Sequence, residues 1–255
     1  MSFLSDLFKK KKYKEELSPI NLSEYIKVDM HSHILPGIDD GAKNIDQSIE
    51  LIEGLIGLGF SQLLCTPHVM TDFYRNSTDL IKIKLDQLRN ELDRRNININ
   101  IRASAEYYFD EELTKRLKRN DIISFGKERY LLFEFSYLNE QQQIFEIITD
   151  MINAGYTPVL AHPERYPYYV MNSEKFHQIK SMGVKFQINL LSLTGNYGIS
   201  AVKGAKYLID ENLVDFIGTD IHKNTQLEGL EHVLKNEHLH SLIKSNNLLN
   251  SSLVE

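Results

Sequence analysis

The chain has 255 residues, 42% of them apolar and 25% charged, with a net charge of −6. That suits a soluble α/β barrel, or two smaller domains, with a sizeable core. The acidic balance argues against a general nucleic-acid binder, which shows a basic face. The lone cysteine, Cys65, rules out an internal disulfide framework and suits a reducing cytoplasm. No run approaches the roughly 18 apolar residues of a membrane span, and the short apolar stretch at the start precedes its lysines, unlike a secretory signal.

Residues 1–24 form an expected N-terminal arm, and 25–255 one folded domain. In the arm, Phe3, Leu4, Leu7 and Phe8 share a face of a short helix, followed by Lys9, Lys10, Lys11, Lys12 and Lys14. A disordered or docked terminus is the simpler expectation. Weak contact of residues 1–14 with an anionic membrane surface is the alternative, its charge diluted by Glu15, Glu16 and Glu24.

From Tyr25 onward strand and helix patterns alternate. Tyr25–Met30 is a first strand. Ile45, Ile49, Ile52, Leu55 and Ile56 recur at helical spacing up to the Gly57-Leu58-Gly59 stop. Gln62–Thr66 is a second strand, closed by Pro67. Leu80–Arg94 is a charged helix with Leu85, Leu88 and Leu92 as its buried stripe. Ile97–Ala105 alternates as a third strand, Glu111–Arg119 is a short helix, and Tyr130–Phe135 is a fourth strand. A helix over Gln142–Asn153 stops at Gly155. Thr157–Ala161, Val184–Asn189 and Val214–Gly218 complete the strands. Glu174–Met182, Ala201–Glu211, Leu227–Lys235 and Leu239–Ser245 complete the helices. Such repeated units, with no linker between them, predict parallel strands covered by helices, closed as a barrel rather than opened as a doubly wound sheet.

In a parallel barrel the C-terminal strand ends share one face, where active sites lie. The first strand runs into His31-Ser32-His33, whose alternate side chains point the same way, and then into a loop holding Pro36-Gly37 and Asp39-Asp40-Gly41. Thr66-Pro67-His68 ends the second strand and Ala105-Glu106-Tyr107 the third. Ala161-His162-Pro163-Glu164-Arg165 ends the fifth, Gln187-Ile188-Asn189 the sixth, and Gly218-Thr219-Asp220-Ile221-His222 the seventh. Glu134 lies near the end of the fourth between Phe133 and Phe135, where an ionised carboxylate is costly unless paired or metal-bound. Singly, each has a bland explanation as a turn or core residue. His31, His33, Asp40, His68, Glu106, Glu134, His162, Asp220 and His222 together at one face do not. Imidazoles and carboxylates are the donors of divalent-metal sites. His177, His232, His238 and His240 fall in helices off this face and are expected to pack or to face solvent.

In this order the motifs resemble those of the PHP (polymerase and histidinol phosphatase) superfamily. Three of them, His31 to Gly41 with its Asp39-Asp40-Gly41, Ala105-Glu106-Tyr107-Tyr108 and Glu134-Phe135-Ser136, are most similar to the bacterial manganese-dependent tyrosine-protein phosphatases of capsule and exopolysaccharide operons. The likeness runs from Lys27 to His222. It implies a distorted (β/α)7 barrel of the PHP type, with residues 25–255 as the catalytic domain, holding three divalent ions. His31, His33, Glu106 and Asp220 would hold the first. Glu106 would bridge to the second, completed by Glu134 and His162. Asp40, His68 and His222 would hold the third. Many members carry histidine where Asp40 and Glu134 stand, and the added oxygen ligands favour Mn²⁺, with Fe or Zn²⁺ as alternatives. The resemblance also implies a cytoplasmic enzyme, at the inner face of the membrane, acting on the phosphotyrosine tail of a bacterial tyrosine kinase of polysaccharide export. Two other functions fit the same motifs: hydrolysis of histidinol phosphate or another small phosphomonoester, and a catalytically silent phosphopeptide-binding regulator.

A cluster of divalent cations holds phosphate and brings the pKa of a bridging water towards neutrality. Arg165, just past His162, is the expected phosphoryl clamp, because guanidinium matches a phosphate fork; an ion pair with Glu164 is the plainer alternative. Arg75, Lys223 and Asn189 are candidate substrate-binding residues. Tyr107, Tyr137, Tyr166, Tyr168 and Tyr169 are candidate walls for an aromatic substrate, one or two of which would serve. Relatives often carry an arginine soon after the final Asp-x-His, but here the run is Lys223-Asn224-Thr225-Gln226. Thiol-based tyrosine-phosphatase chemistry needs an arginine six positions past its cysteine; that position after Cys65 is Thr71, so Cys65 is expected to pack in the second strand.

Overall fold

A computed structural model describes residues 17–245 and 247–254. Its strands, all paired in parallel, are β1 (Val28–Ser32), β2 (Gln62–Cys65), β3 (His68–Val69), β4 (Asn100–Ala103), β5 (Glu106–Tyr108), β6 (Tyr130–Glu134), β7 (Thr157–Ala161), β8 (Lys185–Asn189) and β9 (Phe216–Gly218). One sheet has the order β1-β2-β4 and the other β3-β5-β6-β7-β8-β9. β3 continues β2 past Pro67, and β5 continues β4 past Ser104 and Ala105, so the expected third strand is divided. Proline has no N–H for a ladder, and the chain changes sheets there. Glu106 N–H donates to Pro67 O (3.0 Å) across the break. The shift aims His68 and Glu106 at one face. The result is the distorted seven-position (β/α) barrel expected.

The helices are α1 (Leu22–Tyr25), α2 (Ile45–Gly57), α3 (Thr78–Arg94), α4 (Glu111–Arg119), α5 (Ile144–Asn153), α6 (Pro167–Val170), α7 (Glu174–Ser181), α8 (Ile199–Asp210), α9 (Leu227–Val233) and α10 (Glu237–Ser245). Apolar stripes bury the longer ones, Ile49, Ile52 and Leu55 in α2 and Ile81, Leu85, Leu88 and Leu92 in α3. Each such side chain contributes about 1.5–3 kcal/mol. Asn44, Ser77 and Asp110 cap α2, α3 and α4 by accepting backbone N–H groups. No described helix is long and apolar enough to cross a membrane.

The first strand starts later than its apolar pattern suggests. Tyr25 belongs to α1, whose N-cap Asn21 accepts the Ser23 N–H. The expected arm boundary at Glu24 therefore cuts a helix, and the packed body reaches further back: Ile20 and Leu22 are buried, and Ile20 N–H donates to Leu234 O (2.9 Å). The helix and membrane contact expected of residues 1–14 lie outside the described residues.

β9 meets β1 without a regular ladder. At the upper, C-terminal end, His33 N–H donates to Ile221 O (3.0 Å) and Asp220 N–H to His31 O (2.8 Å). Deeper, the Asp29 carboxylate accepts the Thr219 N–H (2.9 Å) and hydroxyl (2.5 Å). At the lower end the Asn250 amide fills the gap. It donates to Val28 O (3.0 Å) and Ile217 O (2.7 Å) and accepts Ile217 N–H (3.0 Å). Val28, Met30, Leu64, Leu132, Val159 and Phe216 pack with Leu253 as a dry interior cluster below the polar face.

Candidate metal centre and active site

The extended backbone of β1 sets His31 and His33 on one side, both fully buried, with their Nε2 atoms 3.2 Å apart. Glu106 Oε2 from β5 lies 3.2 and 3.3 Å from those two nitrogens, and Asp220 Oδ1, after β9, lies 3.4 and 3.3 Å from them. These four form one group whose ligand atoms all lie within 4.8 Å of one another; His68, Glu106 and Glu134 form a second, and His33, Asp40, His68 and His222 a third. His162 Nε2 lies 2.9 Å from Glu106 Oε1 and 3.9 Å from Glu134 Oε2. All nine expected ligands thus meet at one face. The groups overlap more than the motifs imply, since His68 reaches the Glu106–Glu134 pair and His33 borders the Asp40 group.

The backbone is bent to bring them there. His162 and Asp220 have φ of 34° and 51°, in the left-handed region. For non-glycine residues that region is sparsely populated and costs energy that the surroundings must offset. Two glycines admit close approaches. A Cβ at Gly41 would stand 1.9 Å from His33 O, and one at Gly218 would stand 2.7 Å from the His31 Cβ.

The donor set fits divalent cations. His31 Nδ1 donates to Gln187 Oε1 (2.8 Å), His33 Nδ1 to Asp39 Oδ2 (2.8 Å) and His222 Nδ1 to Asp220 O (2.8 Å). Those bonds fix the tautomers and leave lone pairs on Nε2. Two such lone pairs facing each other at 3.2 Å repel unless a cation or proton lies between them. Buried Glu106 Oε2 and His68 Nδ1 approach to 3.1 Å yet have no hydrogen-bond partner. Orphaned buried acceptors of this kind are rare in folded proteins and are what a cation would satisfy.

Burial opposes ionisation of Glu106, Asp220, His31 and His33. Nevertheless the His31 and His68 imidazoles hold Glu106 well below the ordinary carboxylate range, and His31 and His33 do the same to Asp220. Reciprocally, Glu106 and Asp220 raise His31 against its burial, and Asp39 and Asp220 raise His33 further.

Arg165 lies in this ring. Its Nη1 donates to Asp220 Oδ2 (2.9 Å), and its guanidinium is sandwiched between Tyr137 (4.7 Å) and Tyr197 (4.1 Å). The alternative pair with Glu164 does not form. Glu164 turns to β8, accepting the Asn189 N–H (2.9 Å) and the Ser192 hydroxyl (2.6 Å). A cavity of about 400 Å³ opens over the centre, lined by Asp40, His68, Glu134, His162, Arg165 and His222, with Met70, Tyr74, Tyr108, Tyr137 and Leu138 as walls.

The other expectations divide. Of the five tyrosines, only Tyr137 lines the cavity. Tyr107 and Tyr166 spend their hydroxyls accepting Ile123 N–H (2.8 Å) and Phe135 N–H (3.0 Å), Tyr168 donates to Ser136 O (2.6 Å), and Tyr169 is fully buried. Tyr74 and Tyr108 take their places. Asn189 does not face the cavity. It is fully buried and donates to Asp220 Oδ2 (2.6 Å) while accepting from Gln187 Nε2 (2.9 Å). Lys223 lines a separate cleft with Lys43 and His222, and Arg75 lines a cavity adjoining the central one. Cys65 is fully buried in β2 with its thiol pushed up by burial, as a packing residue would be. Gln187, which ties His31 through Asn189 to Asp220, was missed. Its signal was an amide between Phe186 and Ile188 in a buried strand, the same oddity that marked Glu134.

Known proteins share this architecture. A family model described as capsular polysaccharide synthesis, CpsB/CapC, matches residues 27–230. CapC of Staphylococcus aureus is 31% identical over 198 residues, 78% of this chain and 78% of that protein. The tyrosine-protein phosphatase YwqE of Bacillus subtilis is 28% identical over 214 residues, 82% of this chain and 84% of that protein. A crystal structure from the pair YwqE of Bacillus subtilis and CpsB of Streptococcus pneumoniae, metal-dependent tyrosine phosphatases, aligns with a TM-score of 0.77 and 27% identity over 85% of this chain and 90% of its own. A match along almost the whole described barrel shows that the chain belongs to the CpsB/CapC family of capsular polysaccharide synthesis.

Proposed function

We propose that this chain is a metal-dependent protein-tyrosine phosphatase whose substrate is a tyrosine-phosphorylated segment of a membrane-bound bacterial kinase of polysaccharide export, met at the cytoplasmic face. The observation that carries this reading is the central cavity, with imidazoles, carboxylates and one guanidinium at its base and tyrosines on its walls. In this reading His31, His33, Glu106 and Asp220 hold one cation. Glu106, Glu134 and His162, with His68 at their edge, hold a second, and Asp40, His68 and His222 a third. The carboxylates of Asp40 and Glu134 add oxygen ligands to the imidazoles, which favours Mn²⁺. When bound, the cations supply Lewis-acid charge and a water that ionises near neutral pH.

The protein's own groups do the rest. Gln187, Asp39 and the Asp220 carbonyl hold the Nδ1 protons of His31, His33 and His222, so the Nε2 lone pairs face inward. Arg165 is preorganised by Asp220 and its two tyrosines to meet charge spreading over the equatorial phosphoryl oxygens. Tyr74, Tyr108, Tyr137 and Met70 offer a slot for an aromatic ring. A phenol, with a pKa of about 10, leaves with little help from a general acid.

Hydrolysis of a phosphotyrosine peptide with Mn²⁺, before and after chelation, tests this reading. Activity that survives complete metal removal would overturn the mechanism. A kcat/KM favouring histidinol phosphate by orders of magnitude would move the substrate to small phosphomonoesters. Binding of phosphopeptide without turnover by the metal-loaded protein would make it a regulator.

A further inference from the structure

Beside the central cavity lies another of about 260 Å³, lined by Met70, Thr71, Tyr74, Arg75, Glu112 and Arg116 among others. Met70 and Tyr74 line both. A tight turn therefore divides the two spaces, held by reciprocal bonds in which Met70 N–H donates to Tyr74 O and Tyr74 N–H to Met70 O, both 2.9 Å.

The charged groups of the second cavity are not equivalent. Glu112 is engaged by Arg116 (3.3 Å) and Arg119 (2.7 Å). Arg116 also donates to Asn76 O (2.9 Å) and faces Asp121 (3.6 Å). These charges largely cancel. Arg75 stands apart. Its Nε donates to Thr71 O (2.6 Å), which fixes the guanidinium against the turn, and no carboxylate among the described residues pairs with it. The Thr71 hydroxyl beside it is buried without a hydrogen-bond partner.

We propose that this second cavity is a subsite for an anionic side chain flanking the phosphotyrosine of a polypeptide substrate, with Arg75 as its specificity-determining residue. The proposal rests on the phosphotyrosine reading above. A phosphorylated ring occupies the central cavity, and the chain that bears it must leave over the rim. Tyr74 is part of that rim, and its far side opens on Arg75. Glutamate, aspartate and a second phosphotyrosine share the oxyanion that a guanidinium fork binds.

The full chain loaded with Mn²⁺ is assayed on p-nitrophenyl phosphate and on three peptides carrying one phosphotyrosine flanked by alanines, by glutamates or by a second phosphotyrosine. We expect kcat/KM to be about three- to tenfold higher for anionic flanks, mainly through KM, as for a partly exposed charge-assisted pair. Arg75→Ala should bring those peptides down to the alanine-flanked level, and Arg75→Lys should keep part of the preference. A preference confined to the doubly phosphorylated peptide identifies phosphate as the ligand; one shared by glutamate identifies any oxyanion. Equal rates on all peptides, a preference that survives Arg75→Ala, or an equal fall on p-nitrophenyl phosphate would overturn the subsite. If the unaltered protein hydrolyses none of the four, the phosphatase reading fails, and titration of the same peptides by fluorescence still decides the flank preference.

Discussion

At its lower end the gap between β1 and β9 is filled by Asn250; at its upper end it is spanned by His31, Asp220 and the side chains around them. Asn250 is fully buried and satisfies two carbonyls and one N–H, with Leu253 sealing the dry cluster beside it. The upper end also buries polar groups, but Glu106 Oε2 and His68 Nδ1 are left without partners, and the Nε2 atoms of His31 and His33 face each other. An unsatisfied buried polar group costs about 1–3 kcal/mol. The lower end is complete in itself, whereas the upper end holds clustered donors that a cation would satisfy. Stability and chemistry are thereby housed at opposite ends of the same strands.

Glu106→Gln attacks the upper end where two groups of ligands overlap. It should release more than one metal ion per chain and lower kcat/KM by well over the about 10–100-fold typical of losing a residue that merely supports a ligand. Elemental analysis beside the phosphotyrosine assay checks both. Loss of a single ion would remove the bridging role. Arg165→Ala separates charge from metal at the same end. We expect kcat to fall about 10²–10³-fold with metal content intact, and equal metal loss in both variants would contradict the division of roles.

Asn250→Ala attacks the lower end alone. It strands Val28 O, Ile217 O and Ile217 N–H, which should cost about 2–4 kcal/mol in chelated protein, measured by denaturant unfolding. Activity per folded molecule should hold. Free metal at about 100 times its Kd adds about 2.7 kcal/mol, and distant sites add independently. The metal-induced gain should therefore be the same in Asn250→Ala as in the unaltered chain. A smaller gain would mean that the two ends are coupled through β1 and β9.

Much of the upper end was legible in the sequence, because strand ends are marked by where apolar runs stop, and a parallel barrel gathers those stops on one face. Glu134 stood out because a carboxylate between two phenylalanines needs a reason. The lower end was not legible. Asn250 lies in a polar tail where an asparagine carries no signal, and its role comes from a gap that only the closed barrel creates. Asp29 hides for a related reason: inside a strand its polarity looks like alternation until burial on both sides is known. One of the five candidate tyrosines, Tyr137, lines the cavity, within the expected one or two, but which one was not legible from the sequence. Tyr166 and Tyr169 face into the core while Tyr74 and Tyr108 face the cavity, a matter of local turn geometry.

Cys65 tests the boundary between the two ends at the smallest expected effect. It lies only three residues before His68, yet burial pushes its thiol up and the nearby Asp29 carboxylate pushes it further. A thiol held protonated is a poor nucleophile. Iodoacetamide should leave it unlabelled in the native protein at neutral pH. Cys65→Ala should keep kcat/KM within about twofold, as distant packing changes do, and lose about 1 kcal/mol of stability from a small cavity. Rapid native labelling would show that water reaches the strand below His68, so that the dry interior ends lower than Leu64. Abolished turnover in a folded, fully metallated Cys65→Ala protein would go further, since it would put the reacting nucleophile in β2 and leave the ring of imidazoles and carboxylates above it as scaffold.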